Sequence, residues 1–378
     1  MRYKKILTSE SVGKGHPDKI CDQISDAILD ECLKQDSNSK VACEVFAANR
    51  LIVIGGEIST KGYVDVIKTA WNILFPLGYN ESDFTIISNV NSQSIEIFNA
   101  VEKNNDIGAG DQGIVYGFAT NECDNYMPLS TNIANDLMKF AEQTIVEKNI
   151  NFIKHDMKSQ VGIDYSNPDY PKIENIIMSV QHTEEASKED IEIFCNYIIN
   201  NVVNKYGLNG DFERIINNSG KFTIGGPIGD TGLTGRKIMV DSYGTIARHG
   251  GGAFSGKDGT KVDRSGAYFA RYIAKNIVAA KLAKKCEVQL SFAIGSNYPI
   301  SFEIETFNTS FFESKKLCEA VSNIFDFSIK NFIKKFKLTE PIFLNYSVYG
   351  HFGRTDIEAE WEKTDKTDEL RRYLGVSI

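Results

Sequence analysis

KILTS at 5–9, DKICDQISDAILDECLK at 18–34, VACEVFA at 41–47 and LIVIGGEI at 51–58 set out one supersecondary unit in order. The first run is strand-like. The second places Ile20, Ile24, Ile28 and Cys32 at i, i+4, i+8 and i+12, which predicts an amphipathic helix over about Asp18–Lys34. Pro17 suits its first position. The last two runs read as strands joined by a short turn at Asn49 and Arg50. A helix over about Tyr63–Phe75 follows, with Val64, Ile67, Trp71 and Leu74 in register, and a strand at about Phe84–Val90 closes the unit.

The order strand–helix–hairpin–helix–strand recurs twice. The second copy has a strand at Ile114–Thr120, a helix near Thr131–Lys148, a hairpin of Gln160–Tyr165 with Ile173–His182, a helix near Ser187–Lys205 and a strand at Phe222–Gly225. The third has a strand at Lys237–Ser242 and a helix at about Ser265–Lys284. Its hairpin is Glu287–Ile294 with Ile300–Phe307, followed by a helix near Glu313–Phe336 and a strand at Ile342–Tyr349. Three βαββαβ units predict an α+β protein of three similar layers, each a mostly antiparallel sheet with helices on one face. A chain of 378 residues has room for them.

Outward from that frame, the stretch from Arg214 to Arg264 is unlike the rest. It holds 12 of the 30 glycines and eight Lys/Arg against four Asp, so it is locally basic in a chain of net charge −8. It includes GGPIGDTGLTGRK at 225–237 and RHGGGAFSGKDGTKVDR at 248–264. Glycine lets backbone N–H groups approach an anion, and Lys and Arg neutralise its oxygens. Asp230, Asp258 and Asp263 would repel phosphate unless a divalent cation bridges them. The combination reads as a metal–polyphosphate surface.

The acidic total disfavours general nucleic-acid binding. No apolar run is long enough to span a bilayer, and MRYKKILTSESV lacks the apolar stretch expected of a signal peptide. Seven cysteines without a CxxC pair predict a reducing, cytoplasmic setting with inert thiols and no zinc cluster.

Two glycine motifs fail on context. GAGDQG at 108–113 matches GxGxxG, but the polar segment before it and the strand after it exclude a Rossmann turn. The chain has neither HRD nor DFG, which a kinase needs. GGAFSGK at 251–257 matches GxxxxGK, yet Asp258 stands where a Walker A loop needs Ser or Thr. GKGHPDK at 13–19 puts His16, Asp18 and Lys19 at a helix N-terminus, where an anion is favoured. His16 could equally be an N-cap, and Asp18 a complement to the helix dipole. Asp156 and Lys158 read most simply as a surface ion pair. Glu44 interrupts apolar neighbours, and alternation alone leaves it on a solvent face or as a buried ligand.

Over essentially its whole length the chain resembles the S-adenosylmethionine synthetases, the methionine adenosyltransferases. The resemblance rests on TSESV at 8–12, GHPDK at 15–19, GGEI at 55–58, GAGDQG at 108–113, KSQV at 158–161, the two glycine stretches, RYIAKNIVAA at 271–280 and YGHFGR at 349–354. It implies that methionine sulfur attacks C5′ of ATP, and that the tripolyphosphate expelled is hydrolysed to pyrophosphate and phosphate. It implies two Mg²⁺ per site, K⁺ activation, and a homodimer with active sites between subunits, paired into a tetramer.

It also implies three pseudo-threefold-related domains with an interleaved chain: 1–12 with 124–224, 13–104 with 225–266, and 105–123 with 267–378. His16 would steady the departing O5′. Lys158, Arg236, Lys237, Lys257 and Lys261 would neutralise phosphate, with His16, Lys158, Arg236 and Lys257 carrying the reaction. Asp156, Lys221, Phe222, Asp230 and Ala253 complete the ATP set, with Phe222 on adenine. Glu57, Asp111, Asp230 and Lys261 would hold methionine. Asp18 and Asp263 match the Mg²⁺ ligands and Glu44 the K⁺ ligand.

Two departures stand out. The family carries a QSPDI segment and a flexible loop before GAGDQG. Directly before Gly108 this chain reads EKNNDI, so a nearly deleted lid, no match for the family's methionine-contacting glutamine, and weaker methionine affinity or altered product release are expected. Lys221 stands where the family commonly has Arg, which keeps charge but loses bidentate geometry. The competing readings are a tripolyphosphatase lacking the transferase step and a non-catalytic regulatory subunit.

Overall fold

The computed structural model describes residues 4–92, 102–103 and 106–376. Three sheets of three or four strands organise them. The first runs Ile6–Val12, Ile153–Asp164, Lys172–His182, Glu213–Ile216, and the second Gly232–Leu233, Lys40–Ala48, Leu51–Ser59, Thr85–Asn91. The third runs Ser301–Glu305, Lys285–Phe292, Gly113–Thr120 and is wholly antiparallel.

The repeat is visible in the first two sheets. Each has an antiparallel hairpin, then a helix, then a strand parallel to the hairpin's second arm: Thr85–Asn91 on Leu51–Ser59, and Glu213–Ile216 on Lys172–His182. A parallel pairing needs such a crossover. The connecting helices are α2 (Val66–Leu74) and α4 (Lys188–Tyr206).

Reading three consecutive units misplaces the opening strand. Ile6–Val12 pairs antiparallel with Ile153–Asp164, so the chain leaves the first sheet and returns to it over a hundred residues later. Three expected strands are also absent. Ile238–Asp241 is a one-turn helix, Phe222–Gly225 is irregular, and Phe343–Tyr346 is a 3₁₀ turn. Each run has only two or three apolar side chains and is bordered by glycine or tail segments, so tertiary contacts decide it. The long helix expected over 313–336 is two, Ser314–Ile324 and Ile329–Lys335, the second restarted by the Ser328 N-cap.

The helix α1 (Pro17–Gln35) is buried on both sides. Ile20, Ile24, Ile28 and Cys32 have no exposed surface, and Asp18, Asp22, Asp26 and Asp30 on another face are also buried. It shares one core with the second and third sheets and with α5 (Val262–Ala279), whereas α3 (Leu129–Glu147) and α4 enclose a separate core on the first sheet. All seven cysteines are unpaired and five are buried. Among the described residues no helix is long and apolar enough to cross a membrane.

Candidate active site

The N-terminus of α1 abuts the first sheet because Gly15 lets it. A Cβ there would lie 2.5 Å from the His155 carbonyl carbon. His16 then caps the helix, its Nδ1 accepting the Asp18 N–H at 3.2 Å. The capping and functional readings are compatible because they use different nitrogens. With Nδ1 an acceptor, the ring proton sits on Nε2, which becomes a donor. Burial, with Lys237, Lys158, Lys19 and Arg236 nearby, pushes the His16 pKa down to about 2. The ring is a neutral hydrogen-bond donor at physiological pH.

Around it stands a first cluster. Asp18 accepts from Lys237 Nζ at 2.7 Å and lies 3.7 Å from Arg236. Asp156 is buried rather than half of a surface pair. Its Oδ2 accepts the Gly226 N–H at 2.8 Å, while Oδ1 is buried without a partner among the described residues. Burial pushes this carboxyl up to about 6. Lys158, two residues on, and Asp230, closing the one-turn helix Gly226–Gly229, are exposed.

Phe222 lies at the edge of this cluster. Instead of a strand, one residue fastens it: Phe222 N–H donates to the His182 ring Nε2 at 3.0 Å, and Phe222 O accepts the His182 backbone N–H at 2.9 Å. His182 Nδ1 in turn donates to Thr183 O at 2.8 Å, a consistent tautomer. Sequence reasoning missed His182. Lys221 is exposed, 3.7 Å from Glu184.

A second cluster gathers the rest. Lys257 Nζ pairs with Asp263 Oδ2 at 2.5 Å, and Lys261 Nζ lies 3.3 Å from Asp258. The GAGDQG loop sits on it, with Gly110 N–H bonded to Thr260 O at 3.2 Å and Asp111 exposed beside it. Ala42 bridges to Lys257 and pairs with Glu57, which pairs with Asn91, so Lys257, Glu57 and Asn91 belong to adjoining strands in one row. Glu44 is exposed, which answers the alternation question for a single chain in favour of the outward sheet face. The next row there is apolar, Phe46–Val53–Ile87, with Phe46 41% and Ile87 49% exposed.

The loops that carry the two clusters meet at Gly235 and Ala253. Gly235, at φ 77°, lies against Ala253, and a Cβ on Gly235 would come within 2.2 Å of the alanine Cβ. Several cations of the resembling motifs are structural. Arg264 is fully buried in a bidentate pair with Asp26. Arg271 binds Glu362 and the carbonyls of Phe118, Asn125 and Tyr126.

Among the described residues no three His, Cys, Asp or Glu side chains converge on a common point. The metal ligands expected from sequence are single carboxylates, Asp18 and Asp263, each carrying a lysine ammonium. That donor set does not make a protein cage. It suits a hard cation bound through one carboxylate, water and substrate phosphates, as Mg²⁺ commonly is.

Three family models match in succession. S-adenosylmethionine synthetase, N-terminal domain, covers residues 4–105, the central domain 106–222 and the C-terminal domain 224–363. The S-adenosylmethionine synthase of Mycoplasmopsis pulmonis is 56% identical over 373 residues, 98% of this chain and 99% of the relative. That of Mycoplasma capricolum is 51% identical over 386 residues, and that of Clostridium botulinum 44% over 390. The chain belongs to the S-adenosylmethionine synthetase family.

The expectation of a deleted lid fails. Residues 93–97 read QSIEI and match QSPDI at Gln93, Ser94 and Ile97, with residues 98–107 between them and Gly108. The pattern lies further upstream than directly before Gly108. Residues 93–101 and 104–105 lie outside the described residues. The expected loss of methionine affinity goes with the deletion.

Proposed function

We propose that the chain joins ATP to methionine, with sulfur attacking C5′ and tripolyphosphate leaving, and then hydrolyses the tripolyphosphate to pyrophosphate and phosphate. The observation that carries this reading is His16, buried, neutral and presenting Nε2–H among four cations. A thioether has no proton to lose, so the attack needs no general base. As the C5′–O5′ bond breaks, its electrons go to O5′, and a donor placed there stabilises the leaving group.

Lys158, Arg236 and Lys237 from the first cluster, and Lys257 and Lys261 from the second, neutralise the phosphates. Phe222 stacks on adenine, Lys221 and Ala253 flank the nucleotide, and Asp156 offers its unpartnered Oδ1 to the nucleoside. Glu57, Asp111, Asp230 and Lys261 hold methionine, and Gln93 joins them as the counterpart of the family glutamine. Asp18 and Asp263 would each hold one of two Mg²⁺ ions, which supply further neutralisation of phosphate charge. Glu44 would give one carboxylate to K⁺. The unpaired thiols support a reducing compartment.

We infer a homodimer in which the first cluster of one chain faces the second of its partner. The exposed Phe46 and Ile87 on either side of half-buried Val53 support a covered sheet face. The spatial division 1–12 with 124–224, 13–104 with 225–266 and 105–123 with 267–378 is proposed alongside, supported by the sheet memberships above.

The reaction is tested by incubating the chain with ATP, methionine, Mg²⁺ and K⁺ and measuring S-adenosylmethionine, pyrophosphate and phosphate together. Equal amounts are expected, and phosphate without S-adenosylmethionine would overturn the transferase reading. Sharing of sites is tested by co-expressing His16→Ala and Lys257→Ala chains. Random pairing should restore about one quarter of wild-type activity, because each mixed dimer keeps one intact site. No activity above the separate variants would place both clusters in one chain's site.

Asp156 gives a pH prediction. Its folded pKa of about 6 lies above the ordinary carboxylate value, so it loses its charge as pH falls through 6. An acid limb in kcat/KM for ATP is expected there, and Asp156→Asn should remove the limb at a cost of about tenfold. A limb unchanged in the variant would assign it elsewhere.

A further inference from the structure

Four carboxylates of α1 stand about one turn apart, Asp18, Asp22, Asp26 and Asp30, exposed by only 2, 0, 0 and 6%. Each accepts backbone N–H groups from outside the helix. Asp18 Oδ1 holds Leu233 N at 3.0 Å, Asp22 Oδ1 holds Gly235 N at 2.8 Å, and Asp26 Oδ1 holds Gly256 N at 2.8 Å. Asp30 holds Phe343 N and Leu344 N, both at 2.9 Å. Gly235 directly precedes Arg236, and Gly256 directly precedes Lys257.

A cation on a long side chain is placed only as well as its own Cα. Glycine loops have the most backbone freedom to lose, so a loop carrying a phosphate-binding cation needs an external pin. A buried carboxylate accepting a backbone N–H is a strong one. The rungs are themselves neutralised: Lys19 pairs with Asp22 at 2.9 Å and with Asp241, and Arg264 pairs with Asp26.

We propose that Asp22 and Asp26 are positioning residues that set Arg236 and Lys257 against the polyphosphate through the N–H of the preceding glycine. The proposal rests on the phosphate-binding reading of these two loops. Asp30, which holds a 3₁₀ turn of the tail instead of a glycine loop, is the internal control.

The test is hydrolysis of added tripolyphosphate with Mg²⁺, beside a melting curve for each variant. Asp22→Glu keeps the charge facing Lys19 but moves the acceptor. Asp22→Asn keeps an acceptor but removes the charge. Positioning predicts that Asp22→Glu raises KM for tripolyphosphate roughly tenfold to a hundredfold. Asp22→Asn should lose Tm but hold KM near wild type, as should Asp30→Asn. If Asp22→Glu does not fold, Asp26→Glu reads the same quantity on the Lys257 loop. Unmoved KM in the folded Glu variants, with an active wild type, overturns the proposal alone. A wild-type chain that does not hydrolyse tripolyphosphate overturns the phosphate reading and this proposal with it.

Discussion

His16→Ala is expected to lower kcat for S-adenosylmethionine formation by about 10²–10³-fold, the usual cost of removing one donor from a developing oxyanion. Hydrolysis of added tripolyphosphate should fall by no more than about threefold, since that step forms no charge on O5′ and relies on the cations. The split follows from the ring's state. A neutral imidazole contributes little to binding a polyanion in the ground state, but its Nε2–H strengthens as O5′ gains charge. His16→Asn, able to cap α1 through its carbonyl and donate through its amide, should recover part of the loss. Equal losses in both activities would mean that His16 supports the architecture of the α1 terminus and not the leaving oxygen.

Arg264→Met should destabilise the chain by about 3–5 kcal/mol, because it leaves the Asp26 carboxylate buried without its cation. The side chain has no exposed surface, also bonds Tyr268 Oη, and stacks over Phe343 with 4.2 Å to the ring centroid. A denaturant midpoint measures the loss. Adding Asp26→Leu should return much of the stability, since a buried pair replaced by apolar groups is often near neutral. Activity should stay low, because Gly256 loses its pin. A double variant as unstable as the single one would place the loss in packing around Phe343. Lys221→Ala, removing a pair exposed on both sides, should change stability by less than about 0.5 kcal/mol.

Much of this was readable before any coordinates. The helices with caps and four-residue apolar spacing fall where the sequence places them, α1 to within about one residue at each end. The hairpins do too, because period-2 alternation and turn residues are local signals. What failed was non-local. Ile238-Met239-Val240 looks like a strand, but it forms the one-turn helix that delivers Asp241 to Lys19. The pairing of Ile6–Val12 with a strand beyond residue 150 has no local signature. At the site, the glycine, lysine and arginine residues were legible because phosphate chemistry demands those types. The acidic face of α1 was missed, although Asp18, Asp22, Asp26 and Asp30 repeat as regularly as the isoleucines. A polar face at helical spacing reads as solvated by default, and only its burial shows that it faces backbone N–H groups.

The delayed pairing of the first strand has a cost in time. Ile6 lies opposite Asp164 and Val12 opposite Lys158. On a ribosome adding about 5–20 residues per second, the partner strand emerges on the order of ten seconds after the first. Throughout that interval the nascent chain carries an unpaired strand edge next to a helix whose carboxylates also await loops not yet made. Such an edge is where two growing chains can join wrongly. Output of active protein is therefore expected to depend on how translation is paced along the message, and on whatever shields the first dozen residues, as much as on the stability of the finished fold.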